Sequence, residues 1–175
     1  MACALTTGIN SLVCKDGTPG VVEAYIVEQS KIASITVTDG VVTALTLTVP
    51  GQYWVYTQIK ESASWSEDAS INVQAGSVGW AQTLNLIIPK RETAKRNEIL
   101  NLAQNTLSII CKDKNGKYWL LGMVAGCDMD NGTKYESGTK LGDVNGWTLV
   151  FKAAEHDPAP EVDSSIIAAL LVSND

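Results

Sequence analysis

The chain has one histidine, which closes off most imidazole chemistry, while one phenylalanine against five Trp and five Tyr and only 18% charged residues point to apolar surface of the kind interfaces cover. His156 is the sole imidazole, set between Glu155 and Asp157 at the start of a tail. A nucleophile–histidine–acid triad needs a buried, oriented base, and that position offers neither. The four cysteines (Cys3, Cys14, Cys111, Cys127) include no CxxC pair, so closely spaced zinc ligands are missing. Reduced thiols are the expectation. No GxGxxG, P-loop, HExxH or GxSxG motif occurs. The reading is therefore a non-enzyme with no catalytic, cofactor-binding or metal residue and no cofactor.

Long apolar runs are also lacking. No stretch reaches the roughly 18 residues a membrane helix requires, so no membrane partner is expected. The opening MACALTTGINSLVCKDG has neither a basic region nor a long apolar run, so no secretory leader is expected and a cytoplasmic origin is the reading. Positive charge is in deficit too: the net charge of −6 argues against a protein that grips nucleic-acid phosphates, which needs a basic footprint. It is compatible with a surface past which DNA moves without sticking.

What is present is strand pattern. Residues 21–29 read as a half-buried strand, and residues 31–49 as a hairpin closed by Asp39-Gly40, with Thr38 paired to Val41 in one continuous register. Two longer strands are expected over 53–64 and 65–75, then a loop at 76–79 and a strand over 80–88. In that last strand Trp80, Leu84, Leu86 and Ile88 share a face, with Gln82 the exception. One helix is expected at about 91–104, after Pro89, with a Glu92–Arg96 pair, an Ile99, Leu102 and Ala103 stripe, and Asn105 as its C-terminal cap. A hairpin over 107–124 follows, closed by Asn115-Gly116 with 114 paired to 117, then a long loop or loose hairpin over 126–146, and a strand over 147–153. The fold class expected is mainly β: an antiparallel sandwich or barrel with one flanking helix. Residues 1–155 form one domain with an N-terminal arm at 1–20, and residues 156–175 are an extension beginning Asp157-Pro158-Ala159-Pro160. The apolar run SIIAALLV near its end has no evident use in a lone domain and is expected to be covered by another copy.

Several constellations are weighed and set aside. Asp128-Met129-Asp130-Asn131-Gly132 misses calcium-loop spacing, because glycine comes one position early. Glu23, Glu28, Glu61, Glu67 and Asp68 fit the solvated faces of strands better than a hydrolytic carboxylate pair. Trp54, Trp65, Trp80, Trp119 and Trp147 fit core and interface filling better than a binding groove.

The order of strands, then TLNLIIPKRETAKRNEILNLAQN, then LSIICKDKNGKYWLLGMVAG, then GDVNGWTLVF resembles virion structural proteins of tailed phages infecting Bacteroidota, including crAss-like relatives, and more broadly tail tube proteins. The resemblance covers roughly residues 1–155 and lies in a pattern of elements rather than in a catalytic motif. It implies a tube-type subunit that forms homo-oligomeric rings, six copies to a ring. The rings stack into a conduit for DNA ejection, meet other virion tail proteins, and let DNA pass without specific binding. It implies assembly in the host cytoplasm and residence in the virion. Strands within 53–88 would line the lumen, with Glu61, Glu67 and Asp68 as the lumen-facing residues. The alternatives are an inner-tube, neck or tail-terminator ring protein of a phage or contractile injection system and, more distantly, a carbohydrate-binding β-sandwich.

Overall fold

The computed structural model describes residues 8–9, 17–48 and 51–171. Most of the expected N-terminal arm, Cys3, Cys14 and Pro50 lie outside the described residues.

The fold is mainly β, as expected, in two sheets that do not close into a barrel. The strands are β1 (Val21–Glu28), β2 (Ile32–Thr38), β3 (Val41–Leu47), β4 (Trp54–Thr57), β5 (Ser64–Asn72), β6 (Ser77–Pro89), β7 (Leu107–Asp113), β8 (Tyr118–Leu121), β9 (Asp128–Met129), β10 (Lys134–Glu136), β11 (Gly146–Glu155) and β12 (Glu161–Val162). Among the described residues two α-helices accompany them where one is expected, α1 (Thr93–Gln104) and α2 (Ser164–Leu170). The larger sheet runs β2-β3-β12-β8-β7-β1-β4, and the smaller runs β10-β11-β6-β5 with β9 also on β11.

Alternation along the strands sorts side chains into two cores. Ala24 and Ile26 of β1, with Ile109, Cys111 and Leu121, meet Leu84, Leu86, Leu149 and Phe151 between the sheets. Tyr25 and Val27, with Ile110 and Leu120, face the opposite side of the larger sheet, where Val162, Ile167 and Leu170 cover them. That double covering buries β1 on both faces, where a half-buried strand is expected, and accounts for the apolar content on both faces of β7.

Several expected details shift. The Asp39-Gly40 turn forms with positive φ at both residues (51° and 81°), and Thr38 faces Val41. Beyond Val37 the register slips, so Ile35 faces Leu45 rather than Ala44. This bulge lets Val42 and Leu45, of opposite parity, both turn to the same core. The second hairpin uses a three-residue loop: Lys112 pairs with Tyr118, and Ile110 with Leu120. The Asp113 carboxylate sets that loop by accepting from the N–H groups of Asn115 and Lys117, both at 2.8 Å. Gly116 supplies its left-handed residue, φ 79°. Residues 58–63 are loop, not strand. Helix α1 starts two residues later than expected, after a left-handed Lys90. Glu92 pairs with Lys95 at 3.5 Å rather than with Arg96. Only Ile99 and Leu102 of the helix are buried, and Ala103 is exposed. Asn105 does close the helix, but through its side chain, which donates to the Asn101 carbonyl at 2.8 Å from an extended backbone.

Over 126–146 there is no hairpin at Asn131-Gly132. Strands β9 and β10 both run antiparallel to β11 and behave as one interrupted edge strand. The Thr133 hydroxyl fills the gap in the ladder, accepting from the Val150 N–H at 3.0 Å.

The largest correction concerns the tail. The apolar C-terminal run is not surplus. β12 inserts between β3 and β8, and α2 buries Ile167 and Leu170 in the outer core. Each such side chain contributes about 1.5–3 kcal/mol of hydrophobic stabilisation. The receiving groove is built from Val42, Leu45, Tyr53, Ile110 and Leu120, residues far apart in the chain.

Candidate assembly surface

One region lacks a core of its own. β11 pairs with β6 from Gly146 opposite Pro89 to Glu155 opposite Trp80, and stops there. β5 continues alongside β6 to Asn72 opposite Ser77. Among the described residues the smaller sheet beyond Trp80 is therefore a bare two-stranded hairpin. Residues 68–78 are all exposed, on both faces. Ile71 and Val78 stand opposite each other, 64% and 50% exposed, and Val73 at the tip is 88% exposed. From Ala69 to Pro89 the sequence carries no charged residue. The closing turn lies at 73–76, three residues earlier than expected. The Asn72 side chain caps it by accepting from the Ala75 N–H at 2.9 Å, and Gly76 supplies φ 63°. Ser77 to Gly79 are thereby free to extend as strand.

Two-stranded hairpins without a buried face are marginal in water. Their unpaired edges and apolar tips are templates for association. β5 is such an edge.

The candidate lumen residues do not act alike. Glu61 sits exposed in the loop before β5, with a left-handed φ of 61°. Asp68 is exposed on β5. Glu67, next to it and on the opposite face, is half-buried and committed inside the molecule. Its Oε1 accepts from Gln82 Nε2 at 3.0 Å and from the Ala159 N–H at 2.8 Å. Gln82, the polar exception in the apolar stripe, is 2% exposed, and its own Oε1 accepts from the Gly122 N–H at 3.0 Å. Gln82 is the residue whose role the sequence reading missed; a glutamine on an apolar face was the only signal. Nearby, Glu155 Oε1 accepts from the Val124 and Ala125 N–H groups at 3.0 and 2.9 Å. Glu67, Gln82 and Glu155 thus join the smaller sheet to the loop after β8 and to the tail.

The remaining sequence candidates stay apart. The His156 side chain is 85% exposed, with Asp157 at 3.2 Å. Asp130 is paired with Lys152 at 3.0 Å, and that contact first of all holds its carboxyl below the ordinary range. Among the described residues no group of three or more His, Cys, Asp or Glu is placed to hold a metal. The five tryptophans lie on five different strands across both sheets. Trp65 stacks on Trp119 with ring centroids 6.0 Å apart, and Trp147 meets Tyr135 at 5.3 Å beneath Arg91. An apolar cavity of about 400 Å³ lies beside α1, lined by Tyr56, Ile59, Ile88, Ile99 and Leu149 among others. The Tyr56 hydroxyl donates to Glu98 at 2.7 Å; burial, then that bond, raises its pKa well above the ordinary range. On the same wall the Lys95 ammonium donates to the Pro89 carbonyl at 2.9 Å.

Comparison of the chain with protein-family models, with curated proteins and with solved structures returned no match.

Proposed function

We propose that this chain is a self-assembling virion structural subunit, a tail tube protein whose rings stack into a conduit for DNA. The observation that carries the reading is the end of the β5–β6 hairpin: uncharged, exposed on both faces, apolar at its tip, and open along one edge. A head-to-tail contact through such an arm closes into a ring when the rotation allows, and covers the edge that the lone subunit leaves bare. The β5–β6 pair also falls in the segment that the resemblance assigns to the lumen side. In that arrangement Asp68 and Glu61 are the carboxylates available to an anionic wall, and Glu67 is a structural link. The net charge of −6 suits a wall that DNA slides past. The apolar C-terminal run lends this reading no support, because the subunit covers it itself.

Negative-stain electron microscopy of the purified protein, over a range of concentrations, tests the proposal. Rings or hollow regular rods are the expected result. A protein that stays monomeric at high concentration overturns it.

A further inference from the structure

The tail has the anatomy of a bound peptide. It leaves β11 in the smaller sheet, crosses through residues 156–158, all exposed, passes Ala159 in the core between the sheets, and joins the larger sheet at Pro160. There it forms a ladder on both sides. Glu161 N–H donates to the Gly40 carbonyl at 3.1 Å and Asp163 N–H to that of Val42 at 3.1 Å, while the Pro160 carbonyl accepts from Leu120 N–H at 3.0 Å. Val162, Ile167 and Leu170 are its three apolar anchors. Glu161 is ion-paired with Lys117. Asp163 caps α2, accepting from Ser165 N–H at 2.8 Å. This is a strand inserted between two strands, followed by a helix in a groove; strand pairing and helix seating are two of the ways proteins hold peptides.

The slot is not a sheet edge by accident of length. Among the described residues the β2–β3 pair of the larger sheet reaches β8 only through β12. With the tail withdrawn, β3 and β8 face each other across an empty strand position, each with unpaired backbone groups. Any occupant must then supply a strand and the same three anchors, and a second copy of this chain carries both.

We propose that the segment 159–171 is exchangeable: the slot between β3 and β8 accepts it from a second copy as well as from its own. The contacts are identical in the two cases, so the choice between them rests on connector geometry and effective concentration alone. The two prolines that bracket Ala159 stiffen the connector against folding back tightly. Domain swapping of this kind links subunits without new side-chain chemistry. The proposal deepens the assembly reading and rests on it, naming the tail of a neighbouring subunit as the partner of this slot.

Cysteine pairing tests it. Glu161 and Val41 are register partners on adjacent parallel strands. All variants carry serine at Cys3 and Cys14, and Cys111 and Cys127 are buried. A chain carrying both Val41→Cys and Glu161→Cys is expected to form an internal disulfide under mild oxidation, which checks folding and register. Two chains of different tag length, one with Val41→Cys alone and one with Glu161→Cys alone, are then mixed and oxidised. Exchange predicts a covalent heterodimer at least tenfold above that from a control mixture of Ser66→Cys with Glu161→Cys. An internal disulfide in the first chain with no excess heterodimer in the mixture overturns the exchange. Failure of the internal disulfide overturns the slot itself. Electron microscopy of the unsubstituted protein is read separately: rods without heterodimer leave the tube reading standing and remove the exchange, and heterodimer without rods does the reverse.

Discussion

The backbone N–H of Ala159 donates to the Glu67 carboxylate at 2.8 Å across 92 positions of sequence, fastening the start of the tail to an edge strand of the opposite sheet. The same oxygen accepts from Gln82, which is almost fully buried. A carboxylate that could have been placed for its charge is thus placed for its lone pairs.

Two substitutions separate those roles. Glu67→Gln keeps an acceptor for both donors and removes the charge. It is expected to unfold within about 1 kcal/mol of the parent in urea. Glu67→Ala strands the Gln82 amide without a partner, at a cost of about 1–3 kcal/mol for a buried unsatisfied group. If the two variants are equally destabilised, charge rather than hydrogen bonding is what this position supplies.

The tail makes a local prediction. Ile167→Ala removes a buried anchor of α2 and is expected to cost about 2–3 kcal/mol, the low end of the range for such truncations because a short helix can settle into the gap. Since the β2–β3 pair reaches the rest of its sheet only through β12, the loosening should be local. Amide hydrogen exchange should speed up over 32–47 and 159–170 while β1 and β7 stay protected. Uniform acceleration across all strands would contradict that division.

Much of the architecture is legible in the sequence where the cause is local. Asp39-Gly40 names its own turn, and Pro89 marks the end of a strand, because φ preference and a missing donor belong to single residues. The errors sit where the deciding partner is distant. The slip beyond Val37 exists because Val42 and Leu45 must both reach one core. The loop at Asn115-Gly116 has three residues because the Asp113 carboxylate gathers two N–H groups. The tail looked superfluous because its groove is assembled from β1, β3, β7 and β8, and no window of sequence displays that groove. Of the candidate site, the long uncharged stretch was visible, but its exposure was not. Exposure depends on where β11 ends against β6.

Alkaline pH should weaken the fold through two thiols. Burial pushes Cys127 from an ordinary 9.0 up to about 12, with Glu155 and Asp128 adding to the shift, and burial raises Cys111 as well. Above about pH 9 the unfolded chain releases these protons and the folded chain keeps them, so the unfolded state binds fewer protons and stability falls as pH rises. The slope is about 1.4 kcal/mol per pH unit for each thiol, and Cys127 contributes it between its two values. Cys127→Ala lowers stability at neutral pH by loss of packing, yet should shallow the decline between pH 9 and pH 12 by about one proton. An unchanged slope would mean that Cys127 ionises as freely in the folded chain as in the unfolded one.

The hairpin end is where stability and association should part company. Ile71 is exposed on β5 opposite Val78, so a lysine there buries no charge in the subunit and breaks no hydrogen bond in the ladder. Exposed substitutions of this type stay within about 0.5 kcal/mol of the parent. In an assembly that covers this surface the same lysine must be desolvated against an apolar neighbour, which costs several kcal/mol unless an acid lies opposite it. Ile71→Lys should therefore leave the urea midpoint of the monomer unchanged while raising the concentration needed for self-association by a factor of a hundred or more, at about 1.4 kcal/mol per tenfold. Sedimentation velocity over a concentration series reads both species at once. Leu100→Lys, at a 48% exposed apolar position on α1 outside both the hairpin and the tail, is the matching control and should not move the association midpoint. If Ile71→Lys associates as readily as the parent, the hairpin end stays in water in the assembled state, and the contact between subunits has to be sought on another edge, β2, β4 or β10.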